Sequence, residues 1–231
     1  MILTIDFLEA VFGTEKEISF RKTVSCSDCK GTGAKAGSNI ETCKVCGGTG
    51  RTARVQRTIL GNIQVQMDCE NCKGEGKTYE KCGRCRGTGV IEETVSLKVK
   101  IPAGIDEGET IRLSGQGDAG ERGVQAGDLY LKIHINPDKR FIREGYNIRS
   151  RSEINFTLAA LGGKIDIETV DGSVNLYIPE GTQSGTIFKL KGKGVPRLQE
   201  RGRGDHLVEI IVKTPTHLNR KQKDLLRELA E

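Results

Sequence analysis

The sequence has 231 residues, of which 35% are hydrophobic, and a formal net charge of +5 at pH 7. This length suits one large domain or two to three small ones, and the modest hydrophobic content argues against a single thick core. Thirty glycines and no tryptophan favour many short strands and turns. No apolar run approaches the length of a transmembrane helix, and Asp6 and Glu9 interrupt the apolar start where a signal peptide would be continuous. We therefore expect a cytoplasmic protein without a membrane partner.

The first elements predicted along the chain are a short helix and a strand. The helix is "FLEAVF" at residues 7–12, and the strand contains "EISF" at residues 17–20. Alternating apolar residues in a strand share one face, so Ile18 and Phe20 are predicted to lie side by side.

All eight cysteines lie in four copies of one pattern, C-x-x-C-x-G-x-G. A C-x-x-C turn can place two sulfurs on one zinc ion, and the glycines permit backbone conformations that are closed to residues with a Cβ. The pattern predicts two zinc ions, each held by four thiolates, with three ways to pair the copies. Four protein ligands leave no open position, so we expect structural sites. The copies are "CSDCKGTG" from residue 26, "CKVCGGTG" from 43, "CENCKGEG" from 69 and "CGRCRGTG" from 82.

Two other uses of the cysteines compete with zinc binding. A C-x-x-C pair can act as a dithiol redox centre, and secreted proteins use clustered cysteines for disulfides. A reducing compartment argues against disulfides, and metal ligation would mask the accessible thiolate that redox chemistry needs.

The positive charge is concentrated in the cysteine module. Residues 26–89 contain eleven Lys and Arg against six Asp and Glu, which accounts for the whole excess of the chain. Eight thiolates with two zinc ions would leave the module near +1, so the basic residues mostly balance the charge of the metal sites. This balance argues against nucleic acid as a partner.

The sequence outside the module repeats itself. Two matches share an offset of 77 residues and a third has an offset of 149, so the first copy carries about 72 extra residues, mostly the cysteine module. We predict a mainly β fold of two homologous, sandwich-like domains. The first comprises residues 1–25 plus 90–149, the zinc module 26–89 is inserted into it, and the second comprises 150–231. The matches are "IPAGIDEGETIRLSGQG" (101) with "IPEGTQSGTIFKLKGKG" (178), "GDLYLKIHI" (127) with "GDHLVEIIV" (204), and "IDFLEAVFG" (5) with "INFTLAALG" (154).

Later elements are predicted from periodicity and turn residues. Alternation predicts strands at 97–102, 129–135 and 206–212, and "FTLAAL" at 156–161 predicts a second short helix. Asp171-Gly172 predicts a hairpin with a type I′ turn. Asn219 is a predicted N-cap for a C-terminal helix with Leu225, Leu226 and Leu229 on one face.

Asp128 and Asp205 occupy equivalent repeat positions, which favours a structural role in turns over catalysis. No spacing supports a pairing of nucleophile and base, so we expect that the protein is not an enzyme.

Four C-x-x-C-x-G-x-G copies inserted in the first of two repeated β domains resemble the C-terminal substrate-binding part of the type I DnaJ co-chaperone family. The resemblance implies that the outer copies share one zinc ion and the inner copies the other. The implied ligand sets are Cys26, Cys29, Cys82 and Cys85 for the first ion, and Cys43, Cys46, Cys69 and Cys72 for the second.

The resemblance also implies partners and missing parts. Family members begin with a helical J-domain bearing His-Pro-Asp and a Gly/Phe-rich linker, and this sequence shows neither. The expected partners are unfolded polypeptide clients and a DnaK-type chaperone, with a possible homodimer formed through the C-terminal end.

Four apolar residues match the hydrophobic client-binding pocket of the family's first domain: Ile18, Phe20, Leu97 and Leu131. The competing interpretation is that alternate apolar residues of a strand simply form core. The function that the resemblance implies is capture of exposed apolar segments of non-native proteins and their delivery to a DnaK-type chaperone. The alternatives are a nucleic-acid-binding zinc protein and a thiol-disulfide oxidoreductase.

Overall fold

A computed structural model describes residues 1–58, 61–198 and 200–229. Strands dominate these residues, with three α-helices and one short 3-10 helix, which confirms the predicted mainly β class. Among the described residues, no helix combines the length and the apolar character needed to cross a membrane. The first part of the chain forms β1 (Ile2–Asp6), α1 (Phe7–Phe12), β2 (Thr14–Ser25), β3 (Glu41–Thr42), β4 (Arg51–Thr58), β5 (Gly61–Asp68), β6 (Lys77–Thr78), β7 (Val90–Ile101), β8 (Thr110–Leu113), the 3-10 helix (Glu121–Gly123) and β9 (Leu129–Asn136).

The second part of the chain follows the same order of elements without the cysteine module. It forms β10 (Ile142–Glu144), β11 (Asn147–Asn155), α2 (Phe156–Leu161), β12 (Gly163–Thr169), β13 (Gly172–Ile178), β14 (Ile187–Leu190), β15 (His206–Lys213) and α3 (Arg220–Glu228).

The element positions reproduce the sequence repeats. Helix α2 lies 149 residues after α1, and β14 and β15 lie 77 residues after β8 and β9. The two short helices have the predicted bounds. The repeats therefore correspond to repeated structural elements.

The strands form two larger sheets and several strand pairs. The larger sheets have the orders β1-β9-β8 and β10-β11-β15-β14, in which β1 pairs with β9 and β11 pairs with β15 in parallel. The pairs are β2-β7, β12-β13, β3-β6 and β4-β5. Equivalent strands thus have equivalent neighbours in both repeats, and β10 is an addition in the second.

The chain divides into two compact units. Unit 1 comprises Met1, Glu17–Leu97 and Ile111–Leu131, so it contains the whole cysteine module. Unit 2 comprises Ile2–Lys16, Lys98–Thr110 and the chain from Lys132 onward. The three-part division predicted from the repeats describes shared ancestry rather than compactness, and it stays a prediction.

Two apolar clusters form the core of unit 2. One is built around Ile154, Ile167, Ile178, Val208 and Ile210, which alternate with exposed or half-buried residues along their strands. In the other, the ring of Phe7 stacks on that of Phe141 at 6.1 Å. Burial of such side chains stabilises the fold by about 1.5–3 kcal/mol each.

The predicted hairpin at Asp171 is present, but its turn differs from the prediction. Thr169 pairs with Gly172, so the two loop residues are Val170 and Asp171, and Gly172 itself takes the positive φ of 112°. A type I′ turn would need positive φ at both loop residues. Val170 is buried in the core, which holds the turn one residue earlier than Asp-Gly chemistry suggests.

Helix α3 begins as predicted. The Asn219 side chain accepts a hydrogen bond from the Gln222 amide at 2.9 Å, and the Gln222 side chain accepts one from the Asn219 amide. Leu225 and Leu229 are exposed on this helix and line a cavity of about 520 Å³ together with Phe156 and Leu161 of α2.

Candidate metal centres

The four C-x-x-C-x-G-x-G copies fold into four similar turns, which we call knuckles 1 to 4 (residues 26–33, 43–50, 69–76 and 82–89). The residue after the second cysteine has a left-handed backbone in every knuckle. In each knuckle the amide of the last glycine donates to the sulfur of the second cysteine, at 3.2 to 3.3 Å. Backbone N–H donors stabilise a thiolate, so the pattern prepares the sulfur for a cation.

The knuckles are joined in pairs by backbone hydrogen bonds. The Cys26 amide donates to the Gly89 carbonyl and the Cys82 amide to the Gly33 carbonyl, both at 2.9 Å, so knuckle 1 pairs with knuckle 4. The Cys43 and Cys69 amides donate in the same way to Gly76 and Gly50, so knuckle 2 pairs with knuckle 3.

Close backbone contact explains why the last position of the pattern is glycine. A Cβ on Gly50 would lie 2.3 Å from the Gly74 carbonyl oxygen, and a Cβ on Gly76 would lie 2.3 Å from that of Gly48. Gly33 has the same relation to Gly87, at 2.4 Å. Any side chain at these positions would push paired knuckles apart.

The pairing brings the eight sulfurs into two groups of four. The outer cluster is Cys26, Cys29, Cys82 and Cys85, and the inner cluster is Cys43, Cys46, Cys69 and Cys72; within each, all sulfurs lie within 4.8 Å of one another. These are the two sets that the family resemblance implies. Sequence spacing alone left their pairing open, because the hydrogen bonds that join the knuckles are made by backbone groups common to all four copies.

The sulfur distances fit a tetrahedral metal. Four sulfurs at about 2.3 Å from one ion are separated by about 3.8 Å. The Cys26–Cys82 and Cys43–Cys69 distances are 3.9 Å, and the Cys29–Cys85 and Cys46–Cys72 distances are 3.7 Å. All eight cysteines are free, at separations much longer than a disulfide bond. The two clusters could therefore hold metal ions.

The thiols have divergent proton affinities. The Asn71 side chain lowers the pKa of Cys43 to about 6 by hydrogen bonding, while burial raises the pKa of Cys72 to about 11. Burial also acts to raise the pKa of Cys85, but the Gly87 and Gly89 amides outweigh it and lower the pKa to about 7. A divalent cation would supply the charge that lets four neighbouring sulfurs ionise together.

The four residues predicted for the client pocket all lie in unit 1. Ile18 and Leu131 are buried, with 5% and 0% of their surface exposed, and Phe20 and Leu97 are half-buried. Phe20 lines a cavity of about 370 Å³ together with Leu129. The pocket role of these residues stays a prediction.

The two repeated aspartates stabilise turns, as predicted. The Asp128 carboxylate accepts from the Gly115 amide and pairs with Arg112, at 2.9 and 2.7 Å. Asp205 accepts from the Gly192 amide and pairs with Lys189, at the same distances.

The fold and these centres define a class: a mainly β protein with repeated elements and a cysteine-rich module able to bind metal. The chain belongs to the DnaJ family, because the family model described as DnaJ C terminal domain matches residues 1–215.

Curated relatives are similar over almost the whole chain. The chain is 46% identical over 230 residues to "Chaperone protein DnaJ" of Acetivibrio thermocellus, which covers 99% of this chain and 60% of that protein. It is 48% identical over 228 residues to the protein of that name from Ruminiclostridium cellulolyticum, covering 98% of this chain and 60% of the relative. A third, from Halalkalibacterium halodurans, is 44% identical over 230 residues, with 99% and 62% covered. The chain thus spans about three fifths of the length of these relatives.

Proposed function

We propose that this chain binds exposed apolar segments of unfolded polypeptides and limits their aggregation, and that a full-length protein containing it delivers them to a DnaK-type chaperone. The observation that carries the proposal is an incompletely buried apolar strand face in a chain of the DnaJ family. Its relatives are named chaperones, and a chaperone must offer apolar surface to its clients.

The apolar surface lies on the β2-β7 strand pair of unit 1. Along β2, Ile18 and Phe20 alternate with exposed Glu17, Ser19 and Arg21. Phe20 is the more accessible of the two and lines the 370 Å³ cavity, where the Lys22 ammonium lies 5.9 Å from its ring. We infer that Ile18 and Leu131 form the floor of the client pocket, and that Phe20 and Leu97 form its accessible rim.

A free strand edge could add backbone hydrogen bonds to this apolar contact. Strand β8 is an edge of the sheet β1-β9-β8, and an extended peptide can pair with such an edge. Backbone pairing does not depend on the side chains of the client, which suits a protein that captures many sequences.

We further propose that the outer and inner clusters each hold one zinc ion. The sulfur spacing and the amide donors support this assignment. Zinc would supply charge compensation and cross-link the paired knuckles, and its four protein ligands make the sites structural. We propose no redox or hydrolytic reaction at either cluster.

A binding measurement tests the proposed function. Zinc-loaded protein is titrated into a permanently unfolded, fluorescently labelled polypeptide at low and high salt. The Phe20→Ser variant should bind at least about fivefold more weakly, because a half-buried aromatic contributes more than 1 kcal/mol to an apolar contact.

The matched control is Tyr177→Ser, which removes an exposed aromatic from the β12-β13 pair of unit 2. Equal losses in the two variants would contradict the assigned pocket. Binding that collapses with salt and yields to single-stranded RNA would contradict the client-binding function and favour a nucleic-acid-binding protein.

A further inference from the structure

The third position of the C-x-x-C pattern differs among the four knuckles, and it separates the two clusters. The residues at this position are Asp28, Val45, Asn71 and Arg84, in the order of knuckles 1 to 4. Knuckles 1 and 4 build the outer cluster, and knuckles 2 and 3 the inner cluster. Each cluster therefore has its own pair of third-position residues.

At the outer cluster this pair forms an ion pair. Arg84 Nη1 donates to Asp28 Oδ1 at 3.1 Å and to Ser27 Oγ at 2.8 Å, which links knuckle 4 to knuckle 1. Both charged side chains are about half exposed, so the pair is worth little in free energy. The hydrogen-bonding capacity of Arg84 is directed toward knuckle 1 and not toward a cluster sulfur.

At the inner cluster the equivalent pair is Val45 and Asn71. Val45 has no hydrogen-bonding side chain and is 64% exposed. The Asn71 side chain instead donates from Nδ2 to the Sγ of Cys43 at 3.4 Å. Cys43 begins knuckle 2, so this hydrogen bond crosses from knuckle 3 to a sulfur of the paired knuckle.

The inner cluster is also the more open of the two. Cys46 is half-buried, whereas the other seven cysteines are buried. Water or a competing chelator therefore reaches a sulfur of the inner cluster more readily. An additional N–H donor on a neighbouring thiolate orients that ligand and disperses its charge, as outer-shell donors do at other metal sites.

From this geometry we propose that Asn71 is a positioning residue for the inner metal site, where it holds the Cys43 sulfur in its ligating position and slows metal loss. The proposal rests on the proposed binding of metal by both clusters. It makes the two sites unequal by a device that knuckle 4, with arginine at the same position, does not share.

Cadmium-113 NMR provides a test that does not depend on chaperone activity. The full chain is loaded with two cadmium ions, and the inner-cluster resonance is identified by its loss in a Cys46→Ser, Cys72→Ser variant. Asn71→Leu should shift the inner resonance and leave the outer one in place. A chromogenic chelator should remove the inner ion about tenfold faster from Asn71→Leu than from the unmodified chain.

The matched control is Arg84→Leu, which alters the same position of knuckle 4. It should leave both resonances and both release rates unchanged. If Arg84→Leu accelerates release from the outer cluster as much as Asn71→Leu does from the inner one, a contact between knuckles, rather than a bond to sulfur, determines metal retention, and the proposal is wrong. Asn71 is exposed, so its replacement should not prevent folding. Asn71→Asp, which keeps the shape and removes the donor, provides a second variant with the same expected result.

The outcomes separate this proposal from the one on which it rests. A chain that takes up no cadmium would overturn metal binding by the clusters. A chain that binds two cadmium ions, with the inner resonance and release rate unchanged in both Asn71 variants, would overturn the role of Asn71 alone.

Discussion

Replacing Gly50 by alanine should selectively destroy the inner cluster. Gly50 ends knuckle 2 with a φ of 73°, and a Cβ there would lie 2.3 Å from the Gly74 carbonyl oxygen of knuckle 3. A left-handed backbone costs a residue with a Cβ about 1–2 kcal/mol, and overpacking against a rigid neighbour costs about 1–3 kcal/mol more. The total of about 2–5 kcal/mol corresponds to a loss of about 30-fold to several thousand-fold in metal affinity.

The matched control is Gly47→Ala in the same knuckle. Gly47 also has a positive φ, of 60°, but among the described residues nothing lies within 4 Å of the site that its Cβ would occupy. The other knuckles carry Lys30, Lys73 and Arg86 at this position with the same backbone conformation. Gly47→Ala should therefore cost no more than about 1–2 kcal/mol.

The assay is metal stoichiometry combined with chelator-driven release. Gly50→Ala should retain one tightly bound zinc ion, at the outer cluster, and Gly47→Ala should retain two. If Gly50→Ala holds two ions as firmly as Gly47→Ala, the close contact between knuckles 2 and 3 does not determine the inner site, and the reasoning fails.

Three further predictions concern metal, protons and a helix cap. Removing zinc with a chelator should lower the thermal stability of the cysteine module and increase protease cleavage within residues 26–89, as judged by fragment mass; an unchanged cleavage pattern would count against structural zinc. Burial lowers the pKa of His206, whose Nε2 lies 2.7 Å from Ser150 Oγ. The unfolded chain therefore binds a proton below about pH 6.5 that the folded chain resists, so stability is fully present above that pH and falls as the pH drops toward 5. His206→Leu should reduce this dependence in urea titrations, and identical slopes would refute it. Asn219→Ala should cost helix α3 about 1 kcal/mol, seen as faster amide exchange at the start of the helix, whereas unchanged exchange would show that the cap is unimportant.

Periodicity and repetition in the sequence were enough to predict much of the fold. The offsets of 77 and 149 residues located equivalent strands and both short helices, because each repeat encodes its own alternation of buried and exposed residues. The turn near Asp171 was predicted one residue out of place. Burial of Val170 there outweighs the local turn preference, and such long-range packing is not visible in a short segment.

The metal clusters illustrate the same limit. The C-x-x-C-x-G-x-G pattern predicted that sulfurs would gather in fours, but the four copies are too alike for spacing to identify partners. The role of Asn71 also escaped prediction. Its contact with Cys43 exists only once knuckles 2 and 3 are paired, and its one sequence signal is that it faces Val45 where Arg84 faces Asp28.

The most direct test of the central claim is binding of the zinc-loaded chain to a permanently unfolded polypeptide, measured at low and high salt with single-stranded RNA as competitor. Apolar capture predicts binding that tolerates salt, resists RNA and weakens in Phe20→Ser. Binding that is lost at high salt and displaced by RNA would contradict it.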